Sequence, residues 1–242
     1  MMHGGRIGGK QTIAAVFLFA AMGAATVPAQ ELDADSVIQR VDASVKARID
    51  HIAGYTVTEH YAVYRGKDAT LPAAEMTVKT EYREETGKSY TILSQSGSEF
   101  IRKHVLAVLL DNEKKINLPG TREVSWFTSA NYKMELKPGG VQRLDGRDCL
   151  ALAITPIRKA TNTIAGTLWV DARDGSIVRI EGSATQSPSI FTGAAQVLRQ
   201  YVSVKGFPMA TQASAVSDSF LLGRTTVTID YRDYQIQLRP AR

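Results

Sequence analysis

Gly166-Thr167-Leu168-Trp169-Val170-Asp171-Ala172-Arg173-Asp174-Gly175-Ser176-Ile177-Val178-Arg179-Ile180-Glu181-Gly182 is the stretch on which the fold turns. Apolar residues alternate as far as Val170, a short Asp/Arg/Asp/Gly turn intervenes, and alternation resumes at Ile177. That is the pattern of a β-hairpin with a loop of a few residues. On the first arm Ile164, Leu168 and Val170 share one face and Trp169 points the other way. On the second arm Val178 and Ile180 share a face, opposite Arg179 and Glu181.

Working outward, both arms belong to a longer antiparallel series. Upstream, Tyr55 to Arg65 alternates Tyr55, Val57, Tyr61 and Val63 against Thr56, Thr58 and His60; Met76, Val78 and Tyr82 set up a second strand and Tyr90 to Leu93 a third. Short turns at Gly66-Lys67-Asp68 and Gly87-Lys88 make these three a meander. Nearer the hairpin, Asn131 to Lys137, Val141 to Leu144 and Cys149 to Ile157 read as strands. Downstream, after a loop at Ser187-Pro188-Ser189, come Val197 to Val204, Met209 to Val216 and Thr225 to Leu238. Ser125-Trp126-Phe127 fits neither period.

Two stretches follow the helical period instead. Val37, Ile38, Val41, Val45 and Ile49 recur at helical spacing from about Asp35 to Ile52, behind a capping-box pattern of Ser36 and Gln39. Phe100, Ile101, Val105, Leu106, Val108, Leu109 and Leu110 follow a second such pattern, Ser96 and Glu99, and end at a charged run before Pro119-Gly120. A helix inserted between strands with that much apolar surface is either core or a cover over a cavity. Its charged, Pro/Gly-bounded exit allows hinging, so a movable lid is expected.

Roughly ten antiparallel strands cannot remain a flat sheet, because twist makes them curl or close. The expected fold is therefore α+β and mainly antiparallel β: an incomplete, unclosed β-barrel with an N-terminal helix and a helical lid. A curved sheet with an apolar interior can hold an apolar ligand. The candidate lining is Phe100, Ile101, Val105, Val108 and Leu109 of the lid, with either Trp169 or the Val178/Ile180 face of the hairpin, whichever is concave.

The compartment is read from the first residues. Arg6 and Lys10 precede an apolar run from Thr12 to Ala25, and Val27-Pro28-Ala29 offers small residues for cleavage before Gln30. That reads as a signal peptide over residues 1–29, leaving 30–242 as one domain. The run is shorter than the ~20 residues a membrane span needs. The chain of 242 residues has a formal charge of +5, spread without the Lys/Arg tract that a nucleic-acid surface requires. Its single cysteine, Cys149, can form no intramolecular disulfide, and lies too far from Ala29 to be a lipid-modified first residue. A soluble periplasmic or secreted monomer is expected.

The order of helix, three strands, apolar helix and antiparallel run resembles the periplasmic lipoprotein-carrier superfamily of LolA, LolB and RseB. The Leu168-Trp169-Val170-Asp171 and Val178-Arg179-Ile180-Glu181-Gly182 arms look like its central strand pair. Gly206-Phe207-Pro208 and Val227-Thr228-Ile229-Asp230-Tyr231 are similar to its later strands. The resemblance implies an unclosed barrel whose helical lid covers a cavity for acyl chains, a role in lipoprotein sorting to the outer membrane, and inner- and outer-membrane lipoprotein-handling proteins as partners. It implies equally an RseB-like envelope-stress sensor or interaction module on the same fold. LolB-type acceptors carry an N-terminal cysteine that this chain lacks. LolA-type carriers pair a strand arginine with lid carbonyl groups, and no one arginine here is assigned that part.

Motif chemistry points away from catalysis. His51, His60 and His104 have no second His or Cys at ligand spacing, and there is no Gly-x-Ser-x-Gly, His-Glu-x-x-His or phosphate-binding glycine loop. Asp171 and Asp174 flank the hairpin turn, where aspartate is common for conformational reasons. A non-enzymatic binding protein without cofactor or metal is the expectation.

Overall fold

Alternation of side chains organises the backbone over almost all of its length. In the computed structural model, Met1 and residues 33–66, 70–160, 162–186, 195–219 and 223–240 are described. The expected signal peptide beyond Met1 and the Ser187-Pro188-Ser189 loop lie outside the described residues, as do Lys67 and Asp68 of the first turn. The strands are β1 (Ile52–Arg65), β2 (Ala74–Arg83), β3 (Gly87–Gly97), β4 (Tyr132–Leu136), β5 (Gln142–Leu144), β6 (Arg147–Pro156), β7 (Ile164–Asp171), β8 (Ile177–Ala184), β9 (Gln196–Val204), β10 (Phe207–Ser219) and β11 (Gly223–Leu238).

They form one antiparallel sheet of eleven strands in the order β3-β2-β1-β11-β10-β9-β8-β7-β6-β4, with β5 beside β4 on the same side of β6. Neighbours in space are neighbours in sequence except where β6 meets β4, skipping the short β5, and where β1 meets β11, over a ladder from Ile52↔Leu238 to Arg65↔Thr225. That ladder joins the two ends of the sheet's sequence. Its cost is loop-closure entropy, which grows only slowly with length. Among the described residues no ladder joins β3 to β4, so the barrel is unclosed along this seam. The chain crosses from one edge to the other through the second helix and a 3₁₀ turn at Arg122–Ser125.

The first helix runs over Ala34–His51, within a residue of expectation at each end. Its cap is Asp33 rather than Ser36: the Asp33 carboxylate accepts from the backbone N–H groups of Asp35 and Ser36, each at 3.2 Å, and from Ser36 Oγ at 2.8 Å. Val37, Val41 and Val45 are its buried stripe. They pack on β4, β6, β7 and β8 through Met134, Leu150, Leu152, Leu168 and Ile180, all buried. Trp126 and Phe127, the stretch that fitted no period, pack against the same cluster, and Phe127 stacks on Tyr132 with ring centroids 5.0 Å apart.

The hairpin is where the sequence placed it, and its glycines explain how it fits. Gly166 and Gly182 face one another across β7 and β8. A Cβ on either would lie 2.2 Å from the opposite backbone, so neither strand tolerates a side chain there. Gly175 has φ +71° in the turn, and a Cβ there would meet the Arg40 backbone at 2.5 Å. This contact seats the hairpin tip against the first helix. The expected pairing of Val178 with Ile180 on one face needs correction. A bulge between Trp169 and Val170 sets Ile177 opposite Val170, so Ile177 and Ile180 enter the cluster beneath the first helix, while Val178 is buried outside it.

Among the described residues no helix is long and apolar enough to cross a membrane, which says nothing about strands.

Candidate functional site

The second helix covers the other half of the same sheet face. It is α-helical over Glu99–Ile101 and Ala107–Ile116, with a π-helical turn, Arg102–Leu106, between them, and the Ala107 N–H reaches back to the Arg102 carbonyl. The extra residue in such a turn shifts the phase of every side chain beyond it. Four side chains are buried: Ile101, Val105, Leu106 and Leu110. They meet Tyr61, Val63, Met76, Val78 and Val227 on β1, β2 and β11. Regular helical spacing singled out Val108 and Leu109 in place of Leu106 and Leu110; Val108 is half-buried, and Leu109 lies at the border of the cluster. The N-cap also moves, from Ser96 to Ser98, whose Oγ accepts from the Ile101 N–H at 3.4 Å, because β3 runs on to Gly97 and takes Ser96 into the sheet.

The residues named as candidate lining fall in several places. Ile101 and Val105 sit under the second helix, with Leu109 at the edge. Ile180 is in the separate cluster under the first helix. Trp169 is on the opposite sheet face, where its Nε1 donates to Glu181 Oε1 at 2.7 Å. Phe100 is 56% exposed, its ring 4.6 Å from that of His104.

The sheet interior also contains a polar cluster that periodicity alone did not announce. Glu59 is 1% exposed and accepts from Tyr61 Oη at 2.5 Å. On the edge strand, Lys88 Nζ reaches Glu113 Oε2 of the second helix at 2.8 Å, and Asn117 Nδ2 supports Glu113 through its carbonyl at 2.8 Å and its carboxylate at 3.3 Å. Their side chains are 10% and 24% exposed. Burial by itself would push the Lys88 ammonium down, but Glu113 beside it and Glu59 behind hold it well above its ordinary value. Burial likewise would raise Glu113, and Lys88 with Arg199 holds it below the usual carboxylate range. Arg199 on β9 completes the set, hydrogen-bonded to Tyr201 and within the field of Tyr231 and Glu113.

One signal in the sequence could have found this cluster: a charged residue standing in an apolar row. Glu59 shares its face with Tyr55, Val57, Tyr61 and Val63, and Arg199 shares its face with Val197 and Tyr201. The partners Lys88 and Glu113 carry no such mark.

The two ends of the second helix are held differently. At its C-terminal end the Lys88–Glu113 pair fastens it to the β2–β3 turn, where Gly87 leaves room for the Asn117 carbonyl, 2.7 Å from where a Cβ would sit. Arg122 Nη1 adds a bond to the Glu84 carbonyl at 2.6 Å. At its N-terminal end there is the Ser98 cap and an exposed Glu99–Lys103 pair within the helix, the latter worth little in water.

Side chains that looked chemical are placed structurally. Asp171 accepts from the Arg173 N–H at 2.9 Å and Asp174 from the Ser176 N–H at 2.8 Å, both shaping the turn. Cys149 is buried, and burial pushes its thiol up. His51 Nδ1 lies 2.7 Å from the Ala47 carbonyl at the end of the first helix; His60 contacts Thr77 and Glu75. Among the described residues no group of three or more His, Cys, Asp or Glu could hold a metal ion.

No family model matches this chain, and no curated protein matches it. Among solved structures it is similar to a LolA superfamily protein from Nitrosomonas europaea, with 11% identity and a TM-score of 0.46, over 86% of this chain and 94% of that one. An outer membrane lipoprotein-sorting protein domain from Vibrio parahaemolyticus gives 11% and 0.46, over 84% and 92%. A DUF1329 family protein from Desulfovibrio piger gives 13% and 0.41, over 83% and 92%.

Proposed function

We propose that this chain is an exported, non-enzymatic binding protein that works in the periplasm. It takes the acyl chains of lipids or lipoproteins between the second helix and the sheet, as a carrier in lipoprotein sorting. The observation that supports this reading is the way the second helix is mounted. It lies over β1, β2, β3 and β11, it presents Ile101, Val105, Leu106 and Leu110 to an apolar face, and it is fastened by an ion pair at one end only. Lifting its N-terminal half exposes that apolar face without breaking a ladder of the sheet. An acyl chain entering there gains roughly 0.8 kcal/mol per CH₂ removed from water, so on the order of ten methylenes offset the burial that Ile101, Val105 and Leu106 give up at about 1.5–3 kcal/mol each.

Val105→Asp is the test, read by thermal unfolding and by binding of a fluorescent fatty acid to the same sample. Loss of binding with the sheet still folded supports the lid; loss of both together overturns it, because then the helix is core. Fatty-acyl species should accompany the purified protein in mass spectrometry. A pull-down that recovers a membrane signalling protein and no lipoprotein would favour the sensor reading instead.

A further inference from the structure

The sheet face turned away from the two helices carries a trough that the acyl-chain reading leaves unused. Alternation sends Tyr61, Val63 and Val227 toward the second helix and the residues between them to the other side. Register then aligns Gln200 of β9, Gln212 of β10, Asp230 of β11 and His60 of β1 in one row across the sheet. The next row is Leu198, Ser214, Thr228 and Ala62. Ser214, Thr228 and Ala62 of this row are small, so the surface dips between the first row and Tyr64, which stands opposite Thr226 beyond it. The dip is a pocket of about 290 Å³, lined among others by Tyr64, Leu198, Gln200, Gln212, Thr228 and Asp230. That volume is near the lower limit of small-molecule sites, about 300–1,000 Å³.

The lining selects its ligand by elimination. No Lys or Arg lines the pocket, so a phosphate or carboxylate finds no counter-charge. Arg179, next in the row beside Gln200, is engaged by Asp145 at 3.4 Å. One oxygen of Asp230, the single carboxylate, already accepts from Gln212 Nε2 at 3.0 Å, which makes it a weak cation site. An acyl chain would strip water from two amides and two hydroxyls without replacing their hydrogen bonds. What matches is a neutral ligand dense in hydroxyl groups with one apolar face. The amides of Gln200 and Gln212 each offer donors and an acceptor, Ser214 and Thr228 add hydroxyls, and Tyr64 supplies an aromatic wall.

We infer that this trough is a carbohydrate site that takes one neutral pyranose unit. It lies on the opposite face from the second helix, so it stands or falls independently of acyl-chain binding. Saturation-transfer NMR on the full chain, with methyl glucoside and N-acetylglucosamine against glucuronate and spermidine, tests it. The neutral sugars should receive saturation and shift the Ser214 and Thr228 amide signals. Gln212→Ala should weaken this by about tenfold, as expected for roughly 1.4 kcal/mol, and Ser214→Leu should abolish it by filling the floor, both at unchanged melting temperature. Should Ser214→Leu fail to fold, Gln212→Ala gives the same reading from an exposed side chain. Three outcomes overturn the site: no response to either neutral sugar at about 10 mM, ten times a Kd of about 1 mM; a stronger response to glucuronate or spermidine; or unchanged sugar binding in Gln212→Ala.

Discussion

The two helices cover the same face of one sheet and do so by different chemistry. Beneath the first helix the contacts are largely hydrocarbon: Val37, Val41 and Val45 meet leucines, valines and isoleucines of β6, β7 and β8, with Arg199 of the polar cluster at the border, opposite Ile180. Beneath the second helix an apolar patch adjoins a buried Lys–Glu pair, the helix carries a π turn, and the neighbouring strand β3 is exposed from Thr91 to Gly97. A dry, close-packed interface gains from every methyl group and has no alternative arrangement of similar energy. A buried ion pair adds little net stability, since desolvation offsets the attraction, yet it has one permitted geometry. The first helix is therefore a fixed wall of the barrel. Under the proposed function, the second is the element that leaves its seat and returns to it.

The contrast can be broken most severely at Val41, which is 0% exposed. Val41→Asp places an unpaired charge in the dry interface, at several kcal/mol against a total stability of about 5–15. The expected result is loss of the cooperative thermal transition by circular dichroism, where Val105→Asp under the other helix leaves a folded sheet. If both variants unfold alike, the two halves are one core.

Next in size is Glu113→Gln. It leaves Lys88 largely buried without its partner, which should cost about 2–4 kcal/mol; the ~3–5 of a fully buried pair is reduced because Glu113 keeps some solvent. The double variant Lys88→Met with Glu113→Leu should recover most of that stability in denaturant titration. If the helix is a lid, it should also slow release of a bound fatty acid, since apolar contact replaces the releasable pair.

Acidification should act on the same pair. The Glu113 carboxyl is held below its ordinary value in the fold, so its contribution is complete above the ordinary Glu value of about 4.3. It is lost as pH falls through the lower folded value. Lys88, held well above its ordinary value, keeps its contribution below about 10.4 and loses it only as pH rises through the folded value. Melting temperature followed from neutral pH downward should therefore fall less steeply in Glu113→Gln than in the parent chain. Equal slopes would remove Glu113 from the account.

The smallest effect belongs to the cap. Ser98→Ala removes the acceptor for the Ile101 N–H and should cost about 0.5–2 kcal/mol. Hydrogen exchange should speed up in the first turn of the second helix alone, where a weakened hinge end is read directly.

How far the sequence carried this follows from the range of each interaction. Alternation and helical period are local, so the hairpin, the first helix and every strand were legible to within a few residues, as was the need for so many strands to curl into an unclosed barrel. The placement of Trp169 on the face away from Leu168 was legible for the same reason. Irregularities of a single residue were not. The π turn at Arg102–Leu106 exchanged Val108 and Leu109 for Leu106 and Leu110, and the bulge beside Val170 exchanged Val178 for Ile177. Each adds one residue to a period whose phase sequence reading assumes constant. The polar cluster was beyond reach in another way. Glu59, Lys88, Glu113 and Arg199 come from β1, β3, the second helix and β9; the first three are brought together by the β1–β2–β3 meander and the helix that follows it, and Arg199 joins them only because β1 pairs with β11 across the length of the domain. Residue type decided that these side chains would seek partners. Only the tertiary packing of the helix on the meander, and the long-range ladder that brings in β9, decided which partners they found.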